Sequence, residues 1–168
     1  MTTRILCLCL ASLFLVACDD DSSNSVPGST MCVGTYSVAT RAQLGSATSA
    51  TGACTSSSDL DAICTEDLRT ITGTCALTDC ISLLSNAAEL PGCMQTCVNA
   101  QAAIDPSAAC TDCYTATVVC TAQNCLSDCS SAPDSVACQT CQYTKGCTTA
   151  FFACSGLPLP TAFVGGDI

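Results

Sequence analysis

The sequence predicts a mainly α-helical, disulfide-rich fold: a small array of helical hairpins, preceded by a disordered tether and an irregular lead-in. Three observations carry that prediction. Cysteine supplies 19 of 168 residues, about 11%, above the level that marks a disulfide scaffold. Apolar residues recur at helical spacing from Ser58 onward. A four-cysteine motif occurs twice, and within each of its pairs the spacing puts both cysteines on one helix face.

Taken in order, residues 1–17 read as a signal peptide, with Arg4 in a short n-region and an apolar run from Ile5 to Ala17 that is too short for a comfortable membrane span. Its end, Leu15-Val16-Ala17-Cys18, resembles the lipobox of bacterial lipoproteins. That resemblance implies diacylglyceration of Cys18, cleavage just before it and acylation of the new amino group, so the only attached group expected is a covalent lipid. Two or three chains on Cys18 hold far better than one, since each buried methylene contributes about 0.8 kcal/mol.

Residues 18–31, beginning Cys-Asp-Asp-Asp and rich in Ser, Pro and Gly, form a flexible tether that cannot bury apolar surface. Asp19 resembles the acidic second position that retains some enterobacterial lipoproteins in the inner membrane. Sorting codes differ between bacterial groups, so inner against outer membrane stays open. The three carboxylates lack the regularly spaced ligand loop that calcium needs.

Residues 32–57 read as an irregular Ser/Thr/Gly-rich lead-in with a short strand at Val33 to Val38, closed by Cys32 and Cys54. The cysteine-rich helical domain covers 58–155. Its first helix starts at Ser58 with Asp61 at N3 and carries Leu60, Ile63, Cys64, Leu68 and Ile71 until Gly73. A second runs from Thr74 to Ala88 ahead of Pro91-Gly92, and a third from Cys93 to Ala103. Asp105-Pro106 opens a fourth, reaching Cys120. The fifth spans Ala122 to Ser130, the sixth begins near Pro133-Asp134 and ends before Gly146, and a short seventh carries Phe151 and Phe152 to Cys154. Residues 156–168 read as an extended tail.

Removing Cys7 and Cys9 with the signal, and Cys18 by lipidation, leaves sixteen cysteines, an even number. An exported chain meets an oxidising compartment, which predicts eight disulfides and no free thiol. With no Trp and few aromatics the core is made of small side chains, each burying little area at about 25 cal/mol per Å². A crosslink closing ten to twenty residues adds about 3 kcal/mol in the chain-entropy model.

The internal repeat spans 93–114 and 125–143. Cys93-x3-Cys97 followed by Cys110-x2-Cys113-Tyr114 is echoed by Cys125-x3-Cys129 followed by Cys138-x2-Cys141-x-Tyr143. Each unit reads as an antiparallel hairpin with nested crosslinks, which predicts Cys93–Cys113, Cys97–Cys110, Cys125–Cys141 and Cys129–Cys138. Apart from the closure of the lead-in that Cys32 and Cys54 could make, the spacing assigns no partners to Cys32, Cys54, Cys64, Cys75, Cys80, Cys120, Cys147 and Cys154. The arrangement is similar to plant hairpinins and mitochondrial twin CxnC proteins, differing in the x2 spacing and the duplication. More loosely, it resembles cysteine-rich envelope lipoproteins of environmental diderm bacteria, in which such a series closes on Ser-Gly-Leu-Pro, as at 155–158 here. That likeness carries no activity over.

Four thiolates from Cys110, Cys113, Cys138 and Cys141 suit zinc by spacing, but export and the leftover pairs at 93/97 and 125/129 favour structural disulfides. A redox Cys-x2-Cys needs a preceding strand, and none is expected. The chain has no His, no Gly-x-Ser-x-Gly and no phosphate-cradling glycine loop. Asp59, Asp61, Glu66 and Asp67 read as caps and a solvated face, and Tyr114 and Tyr143 as packing residues. A net charge of −10 repels phosphate backbones and argues against nucleic-acid partners.

The expectation is therefore a lipid-anchored protein of the bacterial cell envelope, with no metal site. It acts as a structural or interaction module, not an enzyme. It contacts the membrane through its anchor and meets an envelope protein or glycan not identifiable from sequence. An envelope thiol-disulfide oxidoreductase and a thiolate metal-binding protein are the alternatives.

Overall fold

The structure, a computed structural model, describes residues 31–160 except Val38 and Ala87. The signal peptide, Cys18, the tether as far as Thr30 and the tail from 161 on lie outside the described residues. Within them the chain is helical, with one isolated antiparallel bridge between Met31 and Thr40.

The lead-in is more ordered than its composition predicts. In place of a strand, Gly34–Tyr36 forms a 3-10 turn. Then α1 (Arg41–Ala47) follows a capping box, in which the Gln43 amide N–H donates to the Thr40 hydroxyl and the Thr40 amide donates back to the Gln43 side chain at 2.8 Å. The Thr40-x-x-Gln43 spacing that makes this box lies inside the stretch read as irregular.

The helix expected from Ser58 to Gly73 is two helices. α2 (Ser57–Thr65) is capped by Ser56, two residues earlier than expected, with Asp59 at N3. α3 (Leu68–Leu77) is capped by Asp67. The break falls at Glu66 because its carboxylate accepts from the amides of Ala103 and Ile104 at 2.9 and 2.8 Å, and Asp67 accepts from the Thr70 amide. Capping residues in mid-pattern outweigh continuous apolar periodicity. Gly73, expected to end a helix, lies inside α3; one interior glycine costs only about 1 kcal/mol. The helix expected over Thr74–Ala88 does not form, and a 3-10 turn at Ile81–Leu83 takes part of that stretch.

α4 (Leu90–Gln101) and α5 (Ala108–Asn124) follow, the latter capped by Ser107 and running past the expected stop at Cys120. α6 (Leu126–Cys129) is one turn, α7 (Val136–Thr144) is capped by Ser135, and α8 (Cys147–Ser155) is bounded by Gly146 and Gly156, both at positive φ. Two glycines seal the lead-in onto the chain end. A side chain on Gly52 would meet the Ser155 carbonyl oxygen at 2.2 Å, and the resulting close approach lets Ser49, Ala53 and Cys54 amides donate to Gly156, Cys154 and Ser155 carbonyls.

All sixteen cysteines from Cys32 to Cys154 are paired. Cys125–Cys141 and Cys129–Cys138 join as the hairpin geometry predicts. The upstream pairing does not. Cys97 bonds Cys75 and Cys93 bonds Cys80, while Cys110 bonds Cys54 and Cys113 bonds Cys154. The expected Cys32–Cys54 closure is replaced by Cys32–Cys64.

The reason is that α4 lies between two helices. Its buried Leu90, Met94 and Val98 form a cluster against which Val118 and Val119 of α5 pack. Cys93 and Cys97 sit one position round the helix from Met94 and Val98, and face α3. The nested antiparallel ladder is real but uses the preceding helix. It recurs a third time in Cys113–Cys154 and Cys120–Cys147 between α5 and α8, where seven residues on each strand of the ladder give matching rises of about 10.5 Å.

Candidate functional site

The residues singled out for chemistry in the sequence are dispersed and structurally engaged. Asp59 is 1% exposed and joins two helix starts. Its carboxylate accepts from the Ser107 amide at 2.6 Å and from the hydroxyls of Ser107 and Ser56 at 3.1 and 2.6 Å. Hydrogen bonds to a charged acceptor of this kind contribute about 1.5–3 kcal/mol. Asp61 pairs with Arg41, Glu66 clamps the α4–α5 loop and Asp67 caps α3. Each of the four is thus taken up by a helix start, a loop or an ion pair. Cys110, Cys113 and Cys138 are fully buried. Each member of the two Cys-x2-Cys motifs is bonded to a cysteine outside its own motif.

Tyr114 and Tyr143 differ in role. Tyr143 is 43% exposed. Tyr114 packs on Phe151 with ring centroids 4.7 Å apart, and Phe151 stands edge-on to Phe152 at 5.2 Å. Burial pushes the Tyr114 hydroxyl far above the ordinary value near 10, with smaller contributions from Tyr36, Asp67 and Asp59. Burial does the same to Tyr36, whose hydroxyl donates to the Pro158 carbonyl at 3.0 Å. Because both folded values lie above the unfolded one, their contribution to stability is complete below pH 10 and is lost as pH rises from there towards the folded values. In a rapid alkaline titration followed by tyrosinate absorbance, two of the three tyrosines are expected to ionise only as the protein unfolds. Full ionisation with helicity intact would contradict this.

The feature that sequence reasoning missed is a groove of about 240 Å³. One wall is α3, with Gly73, Ala76 and Leu77. The floor is α5, with Val118, Thr121 and Ala122. The opposite wall is Leu126 of α6 with Pro133 and Cys138. Wall hydroxyls are turned back on the helices: Thr74 donates to the Thr70 carbonyl and Thr117 to the Cys113 carbonyl, while the Thr121 hydroxyl accepts from Gln142. The lining is consequently apolar. Leu77 and Leu126 are 45% and 55% exposed. Arg69 bridges the groove, donating to the Pro133 carbonyl at 3.1 Å and standing 3.4 Å from the Asp134 carboxylate.

The crosslinks divide around this groove. α3 and α4 are tied only to each other, by Cys75–Cys97 and by Cys80–Cys93 at the turn between them. Of the other six, four link the lead-in, α2, α5 and α8, and two close the α6–α7 hairpin, one of them from Cys125 at the C-cap of α5. Among the described residues no disulfide crosses from α3 to the α6–α7 wall. No sequence signal announces such a groove, since its walls come from segments some sixty residues apart and its floor residues read as ordinary helix positions.

Comparison with protein-family models, curated proteins and solved structures gives no match to this chain. Disulfides in this number indicate an oxidising, exported location. Among the described residues, no helix is long and apolar enough to cross a membrane.

Proposed function

We propose that this protein is a lipid-anchored module of the bacterial cell envelope with a structural or binding role, and not an enzyme. The observation that supports it best is the complete use of the sixteen cysteines in disulfides that tie separate segments together. A thiol-disulfide oxidoreductase draws on a Cys-x2-Cys pair able to close on itself at an accessible site; here Cys110 and Cys113 are buried and bonded to partners far apart in sequence. A thiolate metal site draws on reduced cysteines. The anchor rests on the lipobox at Leu15-Val16-Ala17-Cys18, and the tether that follows carries the crosslinked body clear of the bilayer.

Fractionation tests the anchor. Wild-type protein is expected in the membrane fraction, partitioning into detergent and carrying an acyl mass on Cys18; Cys18→Ser is expected to leave that fraction or accumulate as precursor. A mature terminus elsewhere with no acyl mass would refute it. Alkylation of the denatured, unreduced protein tests the body, with essentially no reagent consumed. Four reactive thiols with one bound metal, or two with reductase activity, would establish one of the alternative chemistries.

A further inference from the structure

The groove between α3, α5 and the α6–α7 wall combines three properties that are independent of one another. It is apolar and open, it has a cation at its rim, and it lies on the seam that the crosslinks leave unbridged. We infer that it binds a single-chain anionic amphiphile, an alkyl carboxylate, with the chain along α5 and the carboxylate on Arg69. This goes beyond the module reading, which names no ligand.

Volume sets the size of the chain. The cavity is smaller than the roughly 300–1,000 Å³ typical of drug-sized ligands, which disfavours a two-chain lipid. Charge sets the head group. Arg69 is the one cation, and Asp134 the one anion, lining the groove among the described residues. Its guanidinium offers five N–H donors in a fork suited to a carboxylate, and Pro133 and Asp134 engage only part of it. Asp134 is 76% exposed, so an incoming carboxylate can take its place while Asp134 turns to water. The missing crosslink lets the width of the groove adjust to the chain, which the doubly crosslinked seams do not permit.

Gly73 supplies the decisive variant. Gly73 lines the groove and a Cβ at this position meets nothing within 4 Å, so the side chain of Gly73→Leu starts in open space at the groove and replaces a poor helix former in α3 by a good one. The oxidised full chain carrying Cys18→Ser, which removes its own acyl group as competitor, is titrated calorimetrically with octanoate, decanoate, decanol and decyltrimethylammonium below their micelle concentrations. Octanoate and decanoate are expected to bind saturably, one per chain, and more tightly than decanol or the ammonium. Gly73→Leu is expected to weaken them at least tenfold with an unchanged or higher melting temperature. Arg69→Gln is expected to bring decanoate down to the affinity of decanol, and Asp134→Asn to raise decanoate affinity.

Undiminished binding to Gly73→Leu would overturn the assignment, as would equal affinity for decanoate and decyltrimethylammonium. So would a groove already filled by a second copy, seen as a dimer that Gly73→Leu dissociates. Failure of every probe to bind, with membrane fractionation as expected, would remove the groove's ligand and leave the anchored module standing. Correct binding without acylation of Cys18 would do the reverse.

Discussion

Gly52→Ala is expected to lower the melting temperature of the oxidised protein by about 10 °C or more, corresponding to a loss on the order of 4 kcal/mol. The added Cβ would fall 2.2 Å from the Ser155 carbonyl oxygen and 2.3 Å from the Gly156 Cα. Both obstacles are backbone, so no rotamer change relieves them. The lead-in has to move off the end of α8, which breaks the three amide-to-carbonyl bonds made by Ser49, Ala53 and Cys54 and displaces the sulfur that closes on Cys110. Gly73→Ala is the matched control, because its Cβ meets open space; its stability is expected to hold or rise by up to about 1 kcal/mol. Thermal circular dichroism on the two oxidised variants decides. Equal melting temperatures would show that the lead-in does not dock as described.

Replacing Cys113, Cys120, Cys147 and Cys154 together by alanine is expected to release α8 and, with it, the lead-in that hydrogen-bonds to its end. The two crosslinks span 41 and 27 residues, and each contributes about 3–4 kcal/mol in the chain-entropy model, without simple additivity. That approaches the whole stability of an ordinary domain, about 5–15 kcal/mol. Replacing Cys75, Cys80, Cys93 and Cys97 instead removes the ladder of a separate body. Hydrogen exchange is then expected to lose protection chiefly over α3 and α4 (68–101), with α5 and α8 still protected. Uniform loss of protection in both variants would contradict the division of the crosslinks into two bodies.

The helical class and the existence of most helices were readable along the chain because amphipathic spacing is local. The starts of α2, α5 and α7 were readable to within about two residues, but from Ser58, Asp105-Pro106 and Pro133-Asp134 and not from the serines that cap them, Ser56, Ser107 and Ser135. The second hairpin was also within reach. α6 and α7 follow one another through a short turn, and four cysteines at three- and four-residue spacing can meet in pairs across it. The α5–α8 ladder left a trace too, since the seven-residue spacing of Cys113 and Cys120 equals that of Cys147 and Cys154.

What could not be read were the choices made between neighbours. A helix with one partner buries one face, and its cysteines must point there. α4 has two partners, so its Leu90-Met94-Val98 row and its Cys93-Cys97 row separate, and a motif of the same Cys-x3-Cys and Cys-x2-Cys pairs that closes on itself downstream is shared out upstream among α3 with the turn after it, α8 and the lead-in. Local pattern says which residues share a face, but which face meets which helix depends on packing across the whole chain. The groove belongs to this second class as well. Residues around 69–77, 118–126 and 133–138 become one surface only when α3 lies across α5, and Arg69 becomes its rim only because the turn before α7 returns to the start of α3.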